Sequence, residues 1–170
     1  MTTIARRTFL VAVALTTISR VASAVDALPD ARFVGFAETV NDFEIQSGQL
    51  ALTKSASEPI RAYATRAIAE HTAIAQSMTR NRAEAGVSMA PDEEVRAIAA
   101  DAMTRLNSLQ GAEFDTAFAN AQLRVQTVVV AQYGAYSQNG KSGPLRRYAQ
   151  EALPKQEMFL EGAKKLGGTL

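Results

Sequence analysis

Residues 33–51 read FVGFAETVNDFEIQSGQLA. Phe33, Ala37, Val40, Glu44, Gly48 and Ala51 recur at three- and four-residue steps, so they fall on one stripe of a helix. Phe36, Phe43 and Leu50 flank the stripe. A strand would need alternation with period two, which the stretch lacks. The pattern predicts a first helix over about residues 30–54, with the Phe33, Phe36 and Phe43 cluster in a core.

The same spacing continues along the chain. Ser57 reads as an N-cap with Pro59 in the first turn behind it. The second helix then runs to about Ala85, stops at Gly86, and turns Ile60, Ala64, Ala67, His71, Ile74 and Met78 inward. Pro91-Asp92-Glu93-Glu94 opens a shorter third helix, whose acids suit a positive helix N-terminus. Its inward residues are Val95, Ile98, Ala99, Ala102 and Leu106, and it ends before Gly111. A fourth helix spans about residues 112–137, with Phe114, Phe118, Ala121, Val125, Val128 and Gln132 on one face. Asn139-Gly140-Lys141-Ser142-Gly143 breaks it. Pro144 starts the last helix, which carries Leu145, Tyr148, Ala149 and Ala152, then Phe159, Leu160, Ala163 and Leu166. Pro154 lacks an N–H and clashes with the preceding turn, so it should kink or interrupt that helix. The expected class is all-α: an antiparallel four-helix bundle, with the third helix as a crossover.

The N-terminal segment reads differently. Arg6 and Arg7 precede a short apolar run, Phe9–Ile18, and Ala22-Ser23-Ala24 offers a small-x-small cleavage site before Val25. This is the layout of a signal peptide over residues 1–24. The run is about half of the roughly 20 residues that span a bilayer. Ala5-Arg6-Arg7-Thr8-Phe9-Leu10 also resembles a twin-arginine signal, which exports folded cargo. Removing 24 residues from 170 leaves 146 in a single domain, and taking the leader's three arginines from a formal charge of +1 leaves −2. A chain of that charge has no general pull toward nucleic acid, which requires clustered Lys and Arg. The expected location is periplasmic or secreted, and no transmembrane helix is expected in the mature part.

The chain has no cysteine. That excludes a disulfide framework, a thiolate metal site and a cysteine nucleophile. No G-x-S-x-G turn or phosphate-binding glycine loop occurs, so the reading leans away from an enzyme. The polar residues on the apolar stripes are the candidate site. His71 is the single histidine and stands beside Glu70; Glu44 sits on the first stripe, and a Glu44–His71 contact is expected. It would be a structural hydrogen bond or a remnant metal or proton-handling pair, with the structural role preferred. Gln122, Gln126 and Gln132 lie on or near the fourth stripe, and at least two of them are expected to face water. Tyr63, Tyr133, Tyr136 and Tyr148 are expected to pack in the core or close the bundle ends. With one histidine, a high-affinity transition-metal site is poorly supplied.

Four pieces in order carry a family resemblance. They are residues 43–51 (FEIQSGQLA), Ala69-Glu70-His71, Gly111-Ala112-Glu113-Phe114-Asp115 with Phe118, and Leu153-Pro154. Over roughly residues 33–166 the chain resembles the exported bacterial proteins grouped as domain of unknown function 4142, which are ferritin-like bundles. Members commonly carry a histidine where this chain has Gln126, and another where it has Phe159. The resemblance thus implies a ferritin-like fold with a degenerate site around Glu44 and His71, and no cofactor beyond a weakly bound metal ion. The preferred function is a non-catalytic envelope or stress-related protein that binds a partner in the envelope or self-associates; the alternative is a metal- or redox-linked ferritin-like protein.

Overall fold

The computed structural model describes residues 25–170, and the signal peptide expected over residues 1–24 lies outside the described residues. Five helices and no strand make up the described part: α1 Asp30–Lys54, α2 Glu58–Ala85, α3 Glu93–Ser108, α4 Gly111–Asn139 and α5 Gly143–Lys165. The all-α expectation holds, and each helix begins and ends within two or three residues of where its spacing and stop signals place it. α5 runs through Pro154 without interruption.

Side-chain and backbone ties at the helix ends fix the directions. Three residues join α1 to α2, so the two are antiparallel. The α2–α3 connection returns to the start of α1, where the Ala90 N–H donates to the Ala31 carbonyl at 2.9 Å and Arg32 pairs with Asp92 at 2.6 Å. α3 then follows α1 to its far end. There Lys54 Nζ donates to the carbonyls of Leu106, Asn107 and Leu109 at 3.0, 2.7 and 3.1 Å. α4 starts at that end, with Lys54 5.8 Å from the Phe114 ring centre. It finishes at the other, where the Tyr136 hydroxyl donates to Asp30. α5 returns antiparallel to α4, so α1 and α5 run one way and α2 and α4 the other. α3, the shortest helix at 16 residues, is the crossover between the two hairpins, packed on α1 and α4.

Local chemistry explains the ends. Asp92 caps α3 by accepting from the Val95 N–H at 3.1 Å, while Ser57, although at the N-cap of α2, makes no side-chain cap bond. Gly86 takes the left-handed conformation that stops α2, at φ 64°. Lys54 gathers three orphan carbonyls at the negative end of α3, so Lys54→Met should lower stability by about 1 kcal/mol in urea unfolding and leave far-UV helicity intact.

The interior has two apolar clusters. The larger, toward the start of α1, joins Phe33, Phe36, Val40, Phe43, Met78, Val129, Tyr133 and Tyr148 among others. Phe33 stacks on Tyr136 with ring centres 3.7 Å apart, and Tyr133 and Tyr148 share a hydroxyl–hydroxyl bond of 2.8 Å. The smaller cluster, toward the α1–α2 turn, joins Ala51, Ile60, Ala64, Leu106, Phe114, Ala117 and Phe118. Phe33, Phe36 and Phe43 are core, as their spacing predicts.

Candidate functional site

Between the two apolar clusters lies a layer of polar side chains, all of them 0–1% exposed: Asn41, Glu44 and Ser47 on α1, His71 on α2, Gln122 and Gln126 on α4, and Gln156 on α5. Each occupies a position that the helical repeat turns inward. Asn41, Glu44 and Ser47 follow one another at three-residue steps. Gln122 is four residues after Phe118, Gln126 is four after Gln122, and Gln156 is four after Ala152.

The layer holds two hydrogen-bonded strings. In the first, His71 Nδ1 lies 2.9 Å from Asn41 Oδ1. An amide oxygen can only accept, so Nδ1 carries the proton and Nε2 presents a lone pair. The expected Glu44–His71 contact is therefore corrected: the partner of His71 is Asn41, one turn earlier on α1. The ring of Phe159 packs 5.1 Å from the imidazole, centre to centre. Burial holds the His71 pKa down at about 3, and the ring is neutral at physiological pH.

The second string centres on Glu44. Gln126 Nε2 donates to Glu44 Oε1 at 3.1 Å. One terminus of the Gln122 amide lies 2.8 and 3.0 Å from the two Glu44 oxygens and 3.1 Å from the Tyr63 hydroxyl. The other terminus lies 3.0 Å from Ser47 Oγ. Burial raises the Glu44 pKa to about 8, against the opposing bonds from Gln126 and Gln122. The carboxyl is mainly protonated at neutral pH.

The five candidate residues do not form one constellation. Glu44, Gln122 and Gln126 are brought together, and His71 joins them through the neighbouring turn of α1. Glu70 stands apart, on the outer side of α2, and pairs with Lys155 of α5 at 2.8 Å; that hydrogen bond lowers its pKa. Gln122 and Gln126 are both fully buried, against the expectation that at least two of the three glutamines face water. The helical register α4 needs to bury Phe118, Val129 and Tyr133 turns them inward. Asn41, Ser47 and Gln156 also belong to the layer, beyond the residues the sequence singles out. Their signal is positional: each falls in the inward register of its helix.

Several buried atoms in the layer have no partner within the protein: Asn41 Nδ2, His71 Nε2, Gln126 Oε1 and both amide atoms of Gln156. Each would cost about 1–3 kcal/mol if left unmade, a large sum against a stability of about 5–15 kcal/mol. A di-metal centre in such a bundle takes a carboxylate from each of two helices and a Glu-x-x-His pair from each of the other two. Here the acid and imidazole donors are one carboxyl and one ring nitrogen, and the facing positions are amides and the Phe159 ring. No three His, Cys, Asp or Glu side chains cluster among the described residues. The residues do not fit such a metal.

A groove of about 530 Å³ between α1 and α3 is lined by Asp42, Phe43, Gln46, Arg96 and Met103, with others, and does not reach the layer. No helix among the described residues is long and apolar enough to cross a membrane.

The chain is thus an all-helical bundle with a closed polar layer at mid-core. A family model, that of the domain of unknown function DUF4142, matches residues 16–166, and the chain belongs to this family. No curated protein and no solved structure matches it.

Proposed function

We propose that this chain is an exported, non-catalytic protein of the bacterial envelope, which acts by presenting its surface to a partner, in a binding or stress-related role. The observation that carries the reading is the closure of the layer. Glu44, His71, Gln122 and Gln126 are each 0% exposed, so the acid and the imidazole of the layer meet no substrate from solution. What the bundle offers other molecules is its outer face. The leader, with Arg6-Arg7 and Ala22-Ser23-Ala24, supports export, and the twin-arginine pattern supports export as a folded bundle.

The test has two arms. Replacing Arg6-Arg7 with Lys-Lys should leave the full chain inside the cell, whereas the natural chain should accumulate in the periplasm with Val25 at its N-terminus. In a strain lacking the gene, the double variant Glu44→Gln/His71→Phe should restore the wild-type phenotype in full, because it keeps the outer face. Photo-crosslinkers placed at Gln46 and Met103 in the α1–α3 groove should capture a protein partner. A folded double variant that fails to complement, together with crosslinkers that capture nothing, would overturn the non-catalytic reading.

A further inference from the structure

Gln122 stands between three groups whose hydrogen-bonding demands depend on one proton. Its amide termini face, on one side, both Glu44 oxygens and the Tyr63 hydroxyl, and on the other Ser47 Oγ. An amide nitrogen can only donate and an amide oxygen can only accept. An ionised Glu44 can only accept and so takes the nitrogen terminus, whereas a protonated Glu44 has an O–H to give to the oxygen terminus.

With Glu44 protonated, the set closes with the oxygen terminus of the amide facing the acid. The Glu44 O–H donates across 2.8 Å to Gln122 Oε1, which also accepts from the Tyr63 hydroxyl at 3.1 Å. Gln122 Nε2 donates to Ser47 Oγ at 3.0 Å, and the Ser47 hydroxyl donates back to the Glu44 backbone carbonyl at 3.4 Å. With Glu44 ionised, that arrangement sets an amide oxygen against a carboxylate. Turning the amide end for end repairs it. Nε2 then donates to Glu44 and toward the Tyr63 oxygen, and the Ser47 hydroxyl turns to donate to Oε1. Both arrangements use the same atomic positions and leave no atom of Gln122 unmade.

We propose that Glu44, Gln122, Ser47 and Tyr63 form a buried proton-binding site, whose occupancy is recorded as the orientation of the Gln122 amide. The proton taken up or lost is exchanged with solvent, and no other bond changes. The surroundings isolate the event. From α2 the titratable groups on this side are Tyr63 and His71; from α4 the facing groups are the amides of Gln122 and Gln126; from α5 it is the amide of Gln156. The buried residues of α3 are Val95, Ala99 and Leu106. The ion pair that joins α2 to α5, Glu70 with Lys155, is partly exposed on their outer side. Burial favours the protonated form, which places the exchange near neutral to mildly alkaline pH. Tyr63, only partly buried, ties the cluster to the outer part of α2 and, through the Phe159 carbonyl at 3.4 Å, to α5.

Isotope-edited infrared and NMR spectra of the purified chain test this. At pH 6 the protein should show a protonated-carboxyl stretch that Glu44→Gln removes, and the Gln122 amide protons should give cross-relaxation to the Ser47 β-protons. As the pH rises through about 8, the stretch should vanish and the cross-relaxation should move to the Tyr63 ring, with one midpoint for both. In Glu44→Gln the amide should stay on Ser47 at every pH. Absence of the carboxyl stretch at pH 6 overturns the proposal. So does an amide that remains on Ser47 after the stretch has gone. If the chain unfolds before the alkaline limb, the pH 6 spectrum alone decides, since an ionised Glu44 or an amide already facing Tyr63 there would be fatal.

Discussion

Glu44→Gln should abolish the loss of stability that the natural chain shows on the alkaline side. Glu44 has an ordinary value of 4.5 and a folded value of about 8. Between these the folded state binds the proton more tightly than the unfolded chain does, so stability falls as pH rises. His71 has the opposite sign. Its value drops from 6.5 to about 3 on folding, so the unfolded chain binds the extra proton and stability rises with pH across that window. At roughly 1.4 kcal/mol per pH unit for each group, the two slopes cancel where they overlap. The natural protein should thus gain about 2 kcal/mol from pH 3 to 4.5, hold a plateau to pH 6.5, and lose about 2 kcal/mol by pH 8. Glu44→Gln keeps the neutral hydrogen-bonding shape, and should show a continuous gain of about 5 kcal/mol from pH 3 to 6.5 with no alkaline loss. Denaturant midpoints across pH measure both curves. Parallel curves for the two proteins above pH 6.5 would show that the carboxyl is not held protonated.

Gly35→Ala should be the most damaging of the glycine-to-alanine changes, since its Cβ would make the shortest contact of any glycine position. A Cβ at Gly35 would stand 2.0 Å from the Ala90 carbonyl oxygen and 2.9 Å from its carbon. The obstacle is backbone, so no rotamer relieves it. That backbone is already tied to α1 by the Ala90–Ala31 bond and the Arg32–Asp92 pair. The α2–α3 connection must lift away, which should cost about 3 kcal/mol. Gly134, in the last two turns of α4, is the control, since a Cβ there meets nothing within 4 Å. Gly134→Ala should instead stabilise the chain by about 1 kcal/mol, because a helical glycine gives way to a better helix former. Equal effects of the two substitutions would contradict the close approach of α1 to the connection.

The contrast between these two glycines is also the boundary of what the sequence discloses. Apolar period and stop residues place every helix, because burial of Phe, Val and Ile drives the fold and Gly and Pro end its elements. The α2 stripe is legible in full: Ile60, Ala64, Ala67, His71, Ile74 and Met78 are all buried. The α4 stripe is not. Its reading is right at Phe114, Phe118 and Val125, which are buried, but it follows Ala121, Val128 and Gln132 where the buried face runs through Gln122, Gln126, Val129 and Tyr133. A glutamine carries no hydrophobic signal, so the register looked broken where the polar layer occupies it. Gln156 and Asn41 escape notice for the same reason. Glu44 and His71 stood out because an acid and an imidazole on an apolar stripe are conspicuous. Their true partners are amides, which are not. The close approach at Gly35 is a property of the tertiary packing, and no local pattern announces it.

The polar layer also divides the bundle's cooperativity. It leaves 18 buried apolar residues in the cluster on one side and seven in the cluster on the other, so the two ends hold unequal reserves. Amide protons near the α1–α2 turn and the start of α4 sit over the poorer reserve. They should exchange through openings well short of global unfolding, while those flanked by Phe33, Tyr133 and Tyr148 exchange only when the whole chain lets go. One end of the bundle then breathes on its own, with Glu44 and Gln122 at the hinge between the part that opens and the part that holds.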